Sequence, residues 1–297
     1  MCCDQNQKTV ICTYVNGNYT VTLYSDGTKQ KVTNEDKFIA AFPDSIDLKI
    51  TNRCDLGCPM CHESSTPNGK HANLLHPILN QLPAGIELAI GGGNPLCHPD
   101  LVPFLQRMKK QGVICNITVN EKHLEVYYDK IVSLINDKLV HGVGVSINKC
   151  SQFALDFLKE QPNAVAHVIC GIVSHPTLKK LQDCKVLFLG YKIKGRGKNN
   201  LNPDLVNNLL WLKKKISRYL YSFNTVCFDN LAIRQLKINE IIDKEQFDNL
   251  FMGNDGEGSM YINLVEKSYS VSSTSANTYP LKDDIYKTFA HVKSCAE

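Results

Sequence analysis

The chain carries no strong charge of either sign. Its formal net charge of +4 is too small to argue for a nucleic-acid partner. The basic stretches Lys192-Ile193-Lys194-Gly195-Arg196-Gly197-Lys198 and Lys213-Lys214-Lys215 read as a solvated loop and a helix face. No uninterrupted apolar run approaches membrane-spanning length, so no membrane partner is expected. The start, Met1-Cys2-Cys3-Asp4-Gln5-Asn6, is polar and lacks the apolar core of a secretory signal. Internal repeats are absent, and the only low-complexity tract is the short serine-rich run at 270–275. A wholly intramolecular disulfide framework is excluded, because thirteen cysteines cannot all pair. Many lie in apolar segments such as Val113-Ile114-Cys115 and Val168-Ile169-Cys170, where cysteine behaves as a small buried hydrophobe. A reducing cytoplasm is the expected compartment.

What is present is a strand–helix rhythm. The apolar content of 43% is that of a globular chain, and 297 residues suffice for one α/β barrel with extensions. Residues 1–44 read as a small N-terminal β meander, with strands at Thr9–Val15, Asn18–Tyr24 and Lys29–Val32 around the turns Asn16-Gly17 and Asp26-Gly27. From Ser45, strands are expected at Ile46–Ile50, Ile86–Ile90, Val113–Val119, Gly142–Ile147, Val165–Ile172 and Val186–Tyr191. Helices are expected between them at Asn73–Gln81, Pro99–Gln111, Leu124–Asn136, Gln152–Glu160 and Pro176–Gln182. Pro203–Tyr219 follows, capped by Asn202 with proline at its first position. Six βα units in a row imply a parallel sheet, since parallel strands need crossovers. The rhythm breaks after Tyr221. Thr225–Leu236 reads as one or two strands, Ser259–Val265 with Tyr269–Ser273 as a hairpin, and Asp283–Lys293 as a closing helix. The domains expected are therefore 1–44, 45–222 and a C-terminal α+β extension, 223–297, covering the barrel.

Three cysteines, Cys54, Cys58 and Cys61, follow the first of the six strands in Arg53-Cys54-Asp55-Leu56-Gly57-Cys58-Pro59-Met60-Cys61. Cubane iron–sulfur clusters are normally held by four thiolates. A compact group of three points to a cluster with one iron left open. Gly57 is able to take positive φ and Pro59 stiffens the turn, which lets one short loop wrap three corners of a cube. A structural zinc site, with His62 as fourth ligand, is the competing reading, although adjacent residues rarely both reach one metal.

The Cys-x3-Cys-x2-Cys spacing resembles the cluster loop of the radical S-adenosylmethionine (SAM) family. The resemblance covers roughly residues 45 to 200. It implies a partial (β/α)6, TIM-like barrel with function at the carboxyl ends of its strands. It also implies a [4Fe-4S] cluster on Cys54, Cys58 and Cys61, whose open iron chelates SAM. An electron from an external one-electron reductant of flavodoxin or ferredoxin type would then release a 5′-deoxyadenosyl radical. Met60 stands where the family usually has an aromatic residue, and it is apolar and polarizable.

Gly91-Gly92-Gly93-Asn94-Pro95 after the second strand resembles the family's Gly-Gly-Glu-Pro motif, which holds the methionine end of SAM. Asn94 replaces the acid, so its amide carbonyl would accept from the ammonium without supplying charge. Ser146, on the fourth strand, is the candidate for the ribose or carboxylate of SAM. Asn148, Asn116 and Asn120 rank below it, being as fit for turns and caps. Cys170 is a possible adenine contact, and Lys192 or Arg196 a possible contact to an anionic substrate group. His62 and Glu63 are placed to act as acid, base or support to the cluster. His98 reads as structural, and Cys97 as a neighbouring thiol. The C-terminal part, with only Cys227 and Cys295, offers no second cluster signature. The substrate, a small molecule or peptide, is left open. A non-catalytic iron–sulfur or zinc module on a barrel scaffold is the alternative to an enzyme. Transfer of a methyl or aminocarboxypropyl group from SAM is a third use of the same site.

Overall fold

The computed structural model describes residues 8–296; the polar start Met1 to Asn6 lies outside them. Two sheets form. The small one is an antiparallel meander of β1 (Val10–Asn16), β2 (Tyr19–Tyr24) and β3 (Lys29–Val32). The large one contains β4 (Ser45–Thr51), β5 (Glu87–Gly92), β6 (Ile114–Asn120), β7 (Gly142–Ser146), β8 (Ala164–Ile169), β9 (Lys185–Leu189), β10 (Thr225–Phe228), β11 (Ser259–Asn263), β12 (Ser268–Ser270) and β13 (Tyr279–Pro280). Its order is β10-β9-β8-β7-β6-β5-β4-β11-β12-β13, parallel from β10 through β11 and antiparallel beyond. This is a mixed α/β fold with a large, mostly parallel sheet.

Among the described residues ten α-helices accompany the sheet: α1 (Leu101–Gln111), α2 (Glu121–Val126), α3 (Tyr128–Asn136), α4 (Gln152–Glu160), α5 (His175–Lys180), α6 (Arg196–Asn199), α7 (Pro203–Tyr219), α8 (Asn230–Leu236), α9 (Lys244–Leu250) and α10 (Ile285–Ala296). None is long and apolar enough to cross a membrane. Alternation along each strand separates two faces. Ile46, Leu48, Ile50, Leu88, Ile90, Ile117, Val119, Val143, Val145, Ala166, Val168, Val186 and Phe188 are buried in the core. Asp47, His167 and Tyr261 point the other way.

That second face is curled into a hollow. Seven strand spacings separate β9 from β12, about 34 Å in a flat sheet. Yet Lys192, three residues beyond β9, donates to Ser273 Oγ at 2.8 Å, three residues beyond β12. Two three-residue extensions of about 10 Å each, with a lysine side chain, cannot bridge that gap. The two flanks of the sheet are therefore drawn together. The sheet remains open, as no ladder joins β10 to β13. The meander closes the opposite end: Lys185 Nζ donates to Asp26 O at 2.9 Å, Asn163 Nδ2 to Ser25 O at 2.9 Å, and Lys29 pairs with Glu87.

Several expectations change. Asn73–Gln81 forms only a single 3-10 turn, Pro77–Gln81, because Pro77 supplies no amide to a longer helix. The expected helix Leu124–Asn136 is instead α2 and α3, broken at Tyr127. Thr225–Leu236 is a strand followed by a helix, with Asp229 Oδ1 capping Ala232 N at 2.6 Å. The C-terminal residues extend the large sheet at both ends: β10 pairs with β9, and β11 pairs in parallel with β4.

Candidate functional site

The loop after β4 is framed before its cysteines begin. Thr51, fully buried, takes Arg53 N on its hydroxyl at 3.0 Å. Residues 66–72 return alongside, with Asn52 N to Lys70 O at 2.8 Å and Cys54 N to Thr66 O at 2.9 Å. Gly57 takes φ +60° at the turn, in open space. Cys54, Cys58 and Cys61 are all half-buried, as is Met60. Desolvation pushes the Cys54 and Cys58 thiols up; thiolate charge from Cys58 and Cys61 adds to the effect at Cys54, and from Cys61 at Cys58. Cys61 N donates to Cys58 O at 3.2 Å, so the last two cysteines share one turn.

The three sulfurs are not packed as tightly as one ion requires. Tetrahedral zinc, with Zn–S near 2.3 Å, draws its sulfurs to about 3.8 Å from one another. Among the described residues, the set of three ligand atoms all within 4.8 Å of one another is Cys54, Asp55 and His123. Cys54, Cys58 and Cys61 are spread wider than that. Three free, half-buried thiols on one short loop are the donor set that a cubane with one open iron would take. His123 Nε2 lies 2.7 Å from Asp55 Oδ1, which ties the loop to α2, and this hydrogen bond holds the Asp55 carboxyl below its ordinary value.

The glycine motif packs directly against this loop. Gly93 N donates to Thr51 O and Asn94 N to Arg53 O, both at 2.7 Å. A Cβ at Gly93 would collide with the Arg53 carbonyl, and Gly92, at φ +111°, lies as close to Thr51 O. Gly91 differs: nothing lies within 4 Å of where its Cβ would be. Asn94 is 1% exposed and already employed. Its Oδ1 caps Leu96 N at 3.1 Å, and its Nδ2 donates to Cys97 Sγ at 3.2 Å. The carbonyl expected to meet an ammonium is thus turned into its own loop. Cys97 also lies 3.2 Å from Tyr127 OH.

Ser146 ends β7, half-buried and in register with Asn120 and His167. The lesser candidates do structural work. Asn120 Oδ1 caps Lys122 N at 3.0 Å, Asn116 meets Glu87 at 3.3 Å, and Cys170 is buried in the core. Asn148 is held by its backbone N–H on Glu121 at 3.0 Å. His98, 2% exposed, bonds Ala72 O at 3.0 Å. Arg196 is engaged with backbone carbonyls of the cysteine loop. Its Nε donates to Cys58 O at 3.0 Å and its Nη1 to Ser65 O at 2.8 Å.

His62 and Glu63 enter a polar network that adjoins the hollow. Glu63 pairs with Lys49 and accepts from Tyr261 OH at 2.9 Å, while His62 Nε2 lies 3.3 Å from Glu63 and 3.5 Å from Lys192 Nζ. Desolvation alone would raise the Glu63 carboxyl; the His62 hydrogen bond and the His62 and Lys49 charges override it and hold it well below the carboxylate range. On the same face Asp47 keeps an exposed side chain, and the protein packed around it pushes its carboxyl up, partly offset by Lys192. Desolvation, reinforced by Lys192, takes His167 down to about 4. The His167 ring lies across Gly144, where any Cβ would strike it. Sequence reasoning passed over Asp47, Lys49 and His167. The first two carried a signal: charged residues alternating with Ile46, Leu48 and Ile50 on one strand.

No family model matches the chain. Among curated proteins, it is 26% identical over 143 residues to the tungsten-containing aldehyde ferredoxin oxidoreductase cofactor-modifying protein of Pyrococcus furiosus, covering 45% of this chain and 37% of that one. Among solved structures, it resembles Streptococcus suis SuiB bound to S-adenosylmethionine, with a TM-score of 0.50 and 14% identity over 78% of this chain and 60% of SuiB. The chain thus spans well under half of the curated relative and about three-fifths of SuiB. At that identity, what it shares with SuiB is the fold.

Proposed function

We propose that the chain is a radical SAM enzyme on a partial (β/α)6 barrel, and that Cys54, Cys58 and Cys61 hold a [4Fe-4S] cluster with one iron open to SAM. The observation that carries this reading is the three-thiol loop at the carboxyl end of β4, locked to the glycine motif of β5. The fold shared with the SAM-bound SuiB and the partial likeness to a cofactor-modifying protein support it. When bound and reduced, the cluster supplies the electron that splits the SAM sulfonium into methionine and a 5′-deoxyadenosyl radical.

The chain's own residues bind and orient. The open space over Gly91 leaves room for the methionine end of SAM. With the Asn94 side chain engaged, backbone carbonyls of the glycine motif take over most of the ammonium contact. Met60 would lie beside the cluster, and Ser146, at the end of β7, would offer its hydroxyl to the ribose or carboxylate. The substrate, a small molecule or peptide, would occupy the hollow lined by Asp47, His167 and Lys192. A flavodoxin- or ferredoxin-type donor in the cytoplasm would supply the electron. The test is product analysis: anaerobically reconstituted protein with dithionite and SAM releases 5′-deoxyadenosine and methionine. Absence of both from protein that carries the cluster overturns the reading.

A second reading, a non-catalytic metal module, is favoured by Cys54, Asp55 and His123, whose ligand atoms already lie within 4.8 Å of one another. Metal analysis of purified protein separates the two. Stoichiometric zinc without sulfide supports the module.

A further inference from the structure

The loop after β9 grips the cysteine loop through its backbone. Arg196 N donates to Cys61 O at 3.0 Å, while the guanidinium reaches Cys58 O at 3.0 Å through Nε and Ser65 O at 2.8 Å through Nη1. Three carbonyls of one loop are thus held by a single residue 131 or more positions away in sequence from the last of them. The flanking glycines make this approach possible. Gly195 has φ +55°, and a Cβ there would collide with the His62 carbonyl; a Cβ on Gly197 would meet Lys192 O at 2.5 Å and Met60 O at 3.3 Å. Tyr191 OH donates to Gly197 O at 2.7 Å and fixes the grip from behind.

We infer that Gly195-Arg196-Gly197 is a clasp that presets the cysteine loop for its cluster, with Arg196 as the positioning residue. Two physical effects follow. A planar guanidinium with several fixed donors spans two carbonyls at once, which a lysine ammonium on a flexible stem does not reproduce. The loop is therefore ordered before iron arrives, and the cluster does not bear that entropic cost. The fixed positive charge beside Cys58 also favours the added electron, so it raises the reduction potential of a bound cluster. This second effect rests on the cluster reading given above; the first does not.

The experiment uses the full chain as wild type, R196K and R196Q. In metal-free protein, hydrogen exchange at the amides of residues 54–66 is expected to accelerate at least tenfold in both variants. Exchange in β6 to β8 should be unchanged. In reconstituted protein, a chelator should strip iron at least tenfold faster from both. The potential, followed by the EPR signal of the reduced cluster, should move negative in R196Q and stay near wild type in R196K. Wild-type exchange and stripping rates in R196K overturn the clasp, and R196K remains the deciding variant if R196Q does not fold. An unmoved potential in R196Q overturns the charge effect. Wild type that takes up no iron sinks the cluster reading, while the exchange data still decide the clasp.

Discussion

Lys49→Met removes the ammonium that faces Glu63 and keeps most of the side-chain volume. Both partners are buried, at 5% and 11% side-chain exposure. Deleting one member of a buried pair typically costs about 3–5 kcal/mol, because the other charge is left uncompensated. Here Tyr261 and His62 still contact Glu63, which places the loss at the lower end, about 3 kcal/mol. With an unfolding entropy of about 2.1 cal/mol/K for each of 297 residues, that is a fall of roughly 5 °C in Tm. The pH dependence carries a sign. Glu63 is held below its ordinary 4.5 in the folded chain, so its contribution to stability is complete above that value and fades as pH falls below it. The K49M penalty should accordingly be largest at neutral pH and shrink below about pH 5, where the stranded carboxyl protonates. Urea unfolding of wild type, K49M, E63Q and K49M/E63Q across that range is the assay. The double variant should recover most of the loss. A K49M penalty under about 1 kcal/mol at pH 7, or no recovery on adding E63Q, refutes the argument.

Other outcomes test neighbouring parts of the site. Gly91→Ala, with open space at its Cβ, should leave stability within about 0.5 kcal/mol yet weaken SAM binding measured by calorimetry. Gly93→Ala, which drives a Cβ into the Arg53 carbonyl, should cost about 1–3 kcal/mol in denaturant unfolding. His167 falls from 6.5 to about 4 on folding. The unfolded chain therefore takes a proton that the folded chain refuses between those values, and stability drops by up to about 3 kcal/mol as pH falls through that window. H167Q should flatten this slope, and an unchanged slope counts against the assignment.

The parts of the fold legible in sequence are those with local causes. The six strands from β4 to β9 announce themselves by apolar runs between turn residues, and α7 by Asn202 at its cap. Asp229 is also a cap, but Val226, Phe228, Ile233 and Leu236 carry an apolar run through it, so strand and helix look alike there. The parallel pairing of β11 with β4 joins residues more than two hundred positions apart, and such pairing leaves no local trace. The site divides the same way. The cysteine spacing and the glycine run are local and were readable. The Arg196 grip on Cys58 and Ser65, the Asp55–His123 tie and the capping use of Asn94 arise only when distant loops meet.

The most direct test of the open iron is electron–nuclear double resonance on the reduced, reconstituted protein with SAM labelled at its amino nitrogen and carboxylate. Hyperfine coupling from both labels to a [4Fe-4S] signal is expected, abolished in C58A and kept in C227A. A cluster with no coupling to either label, or a colourless protein holding one zinc per chain, would contradict it.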